Sequence, residues 1–157
     1  MIRSMLIVCI LLFNIFSHHI YAENTCRLCL LNTTSSTVAR NIIKNNFIQS
    51  IQAYHKFTFT VDIHTDKSGD LINSINTGSF DKLKQFMKEK KYDYFMCIKD
   101  ERDKHISLTV WDHEAISDDV FVEYVLSMDP YFSDIATSAF LSIFNSISNS
   151  FTQNMLY

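Results

Sequence analysis

Three cysteines beyond the N-terminal segment, Cys26, Cys29 and Cys97, are the side chains of this sequence with the most potential for chemistry. Cys26-Arg27-Leu28-Cys29 has the C-x-x-C spacing of a dithiol redox pair. Such a pair needs its first thiol at a helix N-terminus, where the thiolate is favoured. Here the second cysteine falls inside "RLCLLN" (27–32), a short apolar run bounded by polar residues that reads as a buried strand. Residues three apart along a strand are too far separated to bridge. Free buried thiols are the expected state, and a disulfide from Cys29 or Cys26 to Cys97 is the alternative that an oxidising compartment would allow. Three is an odd number, so at least one thiol stays unpaired within the chain. Zinc would need more ligands than three cysteines spread over roughly 70 residues and scattered histidines can supply.

The histidines and acidic residues carry less. His55, His64, His105 and His113 fall at element ends or in loops, where exposure is the usual outcome. "DHEAISDD" (112–119) gathers Asp112, His113, Glu114, Asp118 and Asp119, which invites calcium or acid–base chemistry. It lacks the glycine and the alternating oxygen ligands of an EF-hand loop, and reads as a solvated loop. Asn32-Thr33-Thr34 is a glycosylation sequon, relevant only in a eukaryotic source. No catalytic, cofactor or metal role is assigned to any residue, and the chain is expected to be non-enzymatic.

The N-terminus sets the compartment. Residues 1–4 carry Arg3, residues 5–16 are almost unbroken apolar, and 17–22 are polar and end in the small Ala22, the pattern of a secretory signal cleaved after Ala22. An apolar run of about a dozen residues falls short of the roughly 20 that a bilayer-crossing helix requires. The mature chain is expected to be soluble and periplasmic, without a membrane span.

Residues 23–157 then form one domain, long enough to bury about two thirds of the surface its unfolded chain exposes. Removing Arg3 from the 14 basic residues leaves 13 against 17 acidic ones, a net charge of −4. That mildly acidic balance argues against a nucleic-acid surface. The basic cluster Lys82, Lys84, Lys88, Lys90 and Lys91 lies on the polar side of an expected helix and reads as a solvated face. Two glycines and one proline disfavour Gly-rich phosphate loops, propeller blades and flexible linkers.

These residues need a scaffold, and the hydrophobic pattern supplies one. After the 27–32 strand, Ser and Thr at 33–37 offer N-caps to a helix with Val38, Ala39, Ile42, Ile43, Phe47, Ile48 and Ile51 at helical spacing. "FTFTVDI" (57–63) alternates like a half-buried strand, and a polar segment with Gly69 and Gly78 follows. Ser79 is positioned to cap a second helix whose stripe is Phe80, Leu83, Phe86 and Met87, ending near Lys91. Strands at 92–99 and 105–112 flank the charged turn "DERD", and a further strand spans 120–126. Along "HISLTVWD", Ile106, Leu108 and Val110 should point one way, and Ser107, Thr109 and Trp111 the other. Asp129 and Pro130 open a last helix whose stripe is Phe132, Ile135, Ala136, Ala139, Phe140, Ile143, Phe144 and Ile147. The expected fold is a single two-layer α/β domain, a mixed five-stranded sheet packed by about three helices.

From Arg27 to Ser148 the chain resembles the N-terminal α/β domain of TolB, the periplasmic component of the Tol–Pal cell-envelope system. The resemblance rests on "NNFIQSIQAYHKFTFTVD" (45–62), on "FDKLKQFMKEKKYDYFMCIKDERDKHISLTVWD" (80–112) and on "DIATSAFLSIFNSISN" (134–149). In that alignment Trp111 and Asp112 take the positions of the family's Trp/Val-Asp pair at a strand end, and Ala136, Ile143, Phe144 and Ile147 keep the apolar spacing of its closing helix. The helix's polar signature is replaced by Thr137, Leu141, Asn145 and Ser148-Asn149. The family's β-propeller has no counterpart, and only Glu23, Asn24 and Thr25 precede the first strand where the family has a longer TolA-binding extension. The resemblance implies a protein-interaction domain with an envelope protein, such as a Tol–Pal component, as partner. The alternatives are a secreted effector and a thiol-active or metal-binding secreted protein.

Overall fold

The computed structural model describes residues 25–55, 58–113 and 120–154. The expected signal segment at 1–22 and the 114–119 part of the acidic loop lie outside the described residues. The elements run β1 (Thr25–Asn32), α1 (Thr37–Ala53), β2 (Thr58–His64), α2 (Asp70–Thr77), α3 (Asp81–Lys90), β3 (Tyr94–Asp100), β4 (His105–Asp112), β5 (Val122–Ser127) and α4 (Phe132–Asn154).

The five strands form one sheet in the order β2-β1-β3-β4-β5. β1 lies parallel to both β2 and β3, whereas β3, β4 and β5 are mutually antiparallel neighbours, so the sheet is mixed. The central strands β1 and β3 are buried on both faces, and this is why they read as continuous apolar runs rather than as alternations.

The chain is an α/β domain with the expected mixed five-stranded sheet, but it has three layers and four helices, where two layers and about three helices were expected. The physical reason is the handedness of the crossovers. The step from β1 to β2 runs one way along the sheet, and the step from β2 to β3 runs back over β1. Right-handed connections then place the intervening helices on opposite faces. α1 and α4 cover the face formed by Leu28, Leu30, Met96, Ile98, Leu108 and Val110. α2 and α3 cover the other face, formed by Cys29, Leu31, Phe95, Cys97 and Trp111.

On the first face an aromatic cluster joins the two helices: Phe47 meets Phe140 at 5.3 Å and Phe144 at 5.6 Å between ring centroids. Burying each such side chain stabilises the fold by about 1.5–3 kcal/mol. α4 buries its expected stripe apart from Ile135, which is 38% exposed, and Val38 of α1 is likewise turned to solvent.

Ends of helices follow local chemistry. The Ser36 hydroxyl accepts the Ala39 N–H and caps α1. Asp129 Oδ1 accepts the Tyr131 N–H one residue before α4 begins. Ser79 does not cap α3: Phe80 holds that position without a side-chain bond, and the Ser79 carbonyl accepts the Ser74 hydroxyl instead. α2, in the segment read as polar loop, is bracketed by Gly69 and Gly78 at φ 73° and 69°, a conformation that glycine reaches without Cβ strain. Its Leu71 side chain is buried against the second core.

Candidate functional site

In open α/β sheets ligands sit beyond the carboxyl ends of the strands where neighbouring connections diverge. Here that point lies between β1, whose chain leaves for β2, and β3, whose chain leaves for β4. The chain fills it with its own groups. Asp100 Oδ2 accepts the Ser35 N–H at 2.7 Å, the Thr33 hydroxyl donates to the Ile98 carbonyl at 3.0 Å, and the Thr34 N–H and hydroxyl both donate to Asn32 Oδ1. The carboxylate therefore holds the N–H just ahead of the Ser36 N-cap of α1, in an exposed bond. The same contacts engage the sequon: Asn32 holds an Asx turn and Thr34 is fully buried.

The cysteines are separate, buried and free. The disulfide alternative between Cys29 and Cys97 is not realised. In the parallel β1–β3 register Cys97 lies opposite Leu31 and Cys29 opposite Phe95, so the two thiols are two residues out of step. That offset places their Cα atoms roughly 8 Å apart by strand geometry, beyond the reach of a disulfide. Cys26 points to the opposite face, in the core under α1 and α4. Burial pushes the Cys29 and Cys97 thiols up to about 12, and the Cys26 thiol higher still. Little thiolate is therefore present at these three thiols near neutral pH.

The residues singled out by the TolB resemblance are packing residues. Trp111 is 3% exposed and lies 6.0 Å from Phe80 and 6.2 Å from Phe95 between ring centroids. Its strand follows the expected alternation, with Ile106, Leu108 and Val110 in one core and Trp111 in the other. The indole Nε1–H is buried without a hydrogen-bond partner. Asp112 is buried opposite Tyr94, and His113 Nδ1 lies 3.5 Å from its Oδ1. Ala136, Ile143 and Phe144 are fully buried in the α4 stripe.

Two other features are open to partners. The first is the edge strand β2. Its Asp62 Oδ2 accepts the Tyr92 hydroxyl at 2.8 Å and lies 3.6 Å from the Arg27 guanidinium, which stacks 5.2 Å from the Tyr92 ring centre. Burial, then the bond to Asp62, pushes the Tyr92 hydroxyl well above its usual range. Ile63 is 54% exposed.

The second is a cleft of about 600 Å³ at the C-terminal end of α3. It is lined by Lys84, Lys88 and Lys91, by the buried Met87 and Tyr92, and by Asp93 and His113. Lys91 ends α3 at φ 57°, the left-handed position that Gly78 holds at the end of α2. For a residue with a Cβ that conformation costs about 1–2 kcal/mol. The sequence pattern presents these lysines only as a solvated face. Tyr92 and Asp93 follow the helix directly, and the β3–β4 pairing brings His113 beside them, its N–H on the Asp93 carbonyl.

Among the described residues no group of three or more His, Cys, Asp and Glu is arranged to hold a metal ion. No helix among them is long and apolar enough to cross a membrane.

No protein-family model matches the chain, and no curated protein matches it. Similar solved structures include the PelC dodecamer from Paraburkholderia phytofirmans in space group P6, at 12% identity over 80% of this chain and 89% of that chain, with a TM-score of 0.43. A single-substitution variant of the same dodecamer in space group C2 aligns at 11% identity over 80% and 90% of the two chains, with a TM-score of 0.39.

Proposed function

We propose that this chain is an exported, non-enzymatic protein-interaction domain that takes up an extended segment of an envelope protein along the free edge of β2. The observation that carries this reading is the edge itself. The sheet ends on β2, so the outer backbone row of Thr58–His64 meets no described strand. Proteins usually protect such an edge with proline, lysine or a bulge, because unpaired N–H and C=O groups are a template for another strand. "TFTVDIH" carries neither proline nor lysine, and its one carboxylate is engaged by Tyr92 and Arg27. Ile63 offers apolar surface beside that row, as strand addition requires for specificity. β5, the opposite edge, is one residue shorter and carries Glu123.

The filled crevice at Ser35 and Asp100 and the protonated, buried thiols support binding rather than chemistry as the role. The signal-like segment supports export. The TolB resemblance makes a Tol–Pal component the first partner to seek, in the periplasm.

The test is recovery of crosslinked partners from envelopes of the source cell with the tagged chain and its Ile63→Lys variant, both confirmed folded. TolA, Pal or another envelope protein recovered by the parent and lost with the variant supports the reading. A partner found only outside the envelope makes the chain a secreted effector. Equal recovery by both forms overturns the β2 assignment.

A further inference from the structure

The cleft at the end of α3 asks for a ligand of its own. Lys84 and Lys88, four residues apart, stand on one face of the helix, and Lys91, the residue that ends it, lines the same cleft. None of the three has an ion-pair partner among the described residues, whereas the neighbouring Lys82 is paired with Asp70 at 2.7 Å. Three cations line the cleft against the one carboxylate of Asp93, and the like charges repel one another.

Service to the helix end does not account for them. Cations near a helix C-terminus complement its dipole and its unpaired carbonyls. Here three of the last four carbonyls already have donors. The Lys91 N–H donates to the Lys88 carbonyl, the Tyr92 N–H to the Met87 carbonyl, and the Arg27 guanidinium to the Lys90 carbonyl at 2.7 Å. Asp93, the acidic residue of the lining, accepts the Arg27 N–H at 2.7 Å, and His113 lies against Asp112.

The backbone at Lys91 lies in the left-handed region, as it does at Asp103 and Lys104 in the β3–β4 turn. The left-handed stop that α2 makes with Gly78 is made in α3 with a lysine, so a strained conformation is kept where its side chain lines the cleft. Strained positions of this kind concentrate at functional sites.

We infer that this cleft is an anion-binding site for a phosphate group, held by the ammonium groups of Lys84, Lys88 and Lys91. Lysines act as point charges and suit a tetrahedral, multiply charged oxyanion. A planar carboxylate is better matched by the fork of an arginine, and no arginine is in the lining. The phosphate is borne either by a soluble monoester or by a lipid headgroup. This site is distinct from the β2 edge, and each stands or falls without the other.

The test is titration of the exported chain with glycerol phosphate and with phosphatidylglycerol vesicles, using phosphatidylcholine vesicles as the neutral comparison. Saturable binding of the soluble ester identifies a free phosphate ligand, and binding to the anionic vesicles alone identifies a headgroup. In either case Lys84→Gln and Lys88→Gln should each weaken binding about fivefold or more at unchanged unfolding midpoint, because each removes one ammonium group from the phosphate. Lys91→Gly should weaken binding while the midpoint stays level or rises, because glycine relieves the backbone. That opposite movement of binding and stability is not produced by misfolding. Absence of saturable binding to either probe, or equal weakening by the control Lys67→Gln on the exposed β2–α2 loop, overturns the inference.

Discussion

Asp100 and Ser35, 65 residues apart in sequence, are joined at 2.7 Å by a hydrogen bond from the Ser35 N–H to the Asp100 carboxylate. The bond ties the end of β3 to the entry of α1 and occupies the crevice where an α/β sheet would ordinarily receive a ligand. Asp100→Ala should lower stability by about 1 kcal/mol, the usual net contribution of one hydrogen bond. Urea denaturation checks this. An unchanged midpoint would mean that the carboxylate contributes nothing to the entry of α1.

The thiols predict an alkaline loss of stability. Burial raises the folded values of Cys29 and Cys97 from 9.0 to about 12, so the folded state holds these protons after the unfolded chain has released them. Their contribution is complete below pH 9.0 and is lost as pH rises towards about 12, with a slope of at most about 1.4 kcal/mol per pH unit for each thiol. The urea midpoint should therefore fall between pH 9.0 and about pH 12, and none of the three described thiols should react with iodoacetamide near pH 8 until the chain unfolds. Rapid labelling of the folded protein would contradict the burial of these groups.

Trp111 separates volume from hydrogen bonding. Trp111→Ala should cost about 3–5 kcal/mol, because it empties the space between Phe80 and Phe95. Trp111→Phe should cost less than about 1.5 kcal/mol, since it keeps an aromatic ring and removes an N–H that is buried without an acceptor. If the two substitutions proved equally damaging, the indole N–H would have to make a bond that matters.

What the sequence discloses, it discloses through pattern. The stripe of α4, the alternation of β4 that sends Trp111 away from Val110, and the continuous apolar run of β1 each follow from one period read along one segment. α2 is hidden because its eight residues include two asparagines and a serine, and only Leu71, Ile72 and Ile75 carry the helical spacing. The glycines on either side of it were the available signal. The second helical layer could not be seen without the strand order, because its position depends on the crossover from β2 to β3 passing over β1. The basic cleft was hidden for a similar reason. Lys84, Lys88 and Lys91 are visible as basic residues at the end of a helix, but the other lining residues come from the α3–β3 connection and from the residue after β4. The Asp100–Ser35 closure joins two loops that no local pattern connects.

The claim at the centre of this account is that β2 is the edge on which a protein partner is added. A photoreactive amino acid placed at Ile63, with a second chain carrying it at the 70% exposed Val38 of α1, tests it in intact source cells. Position 63 should give a discrete protein adduct and position 38 none. Adducts from both positions alike, or none from position 63 while the folded chain is abundant, would contradict it.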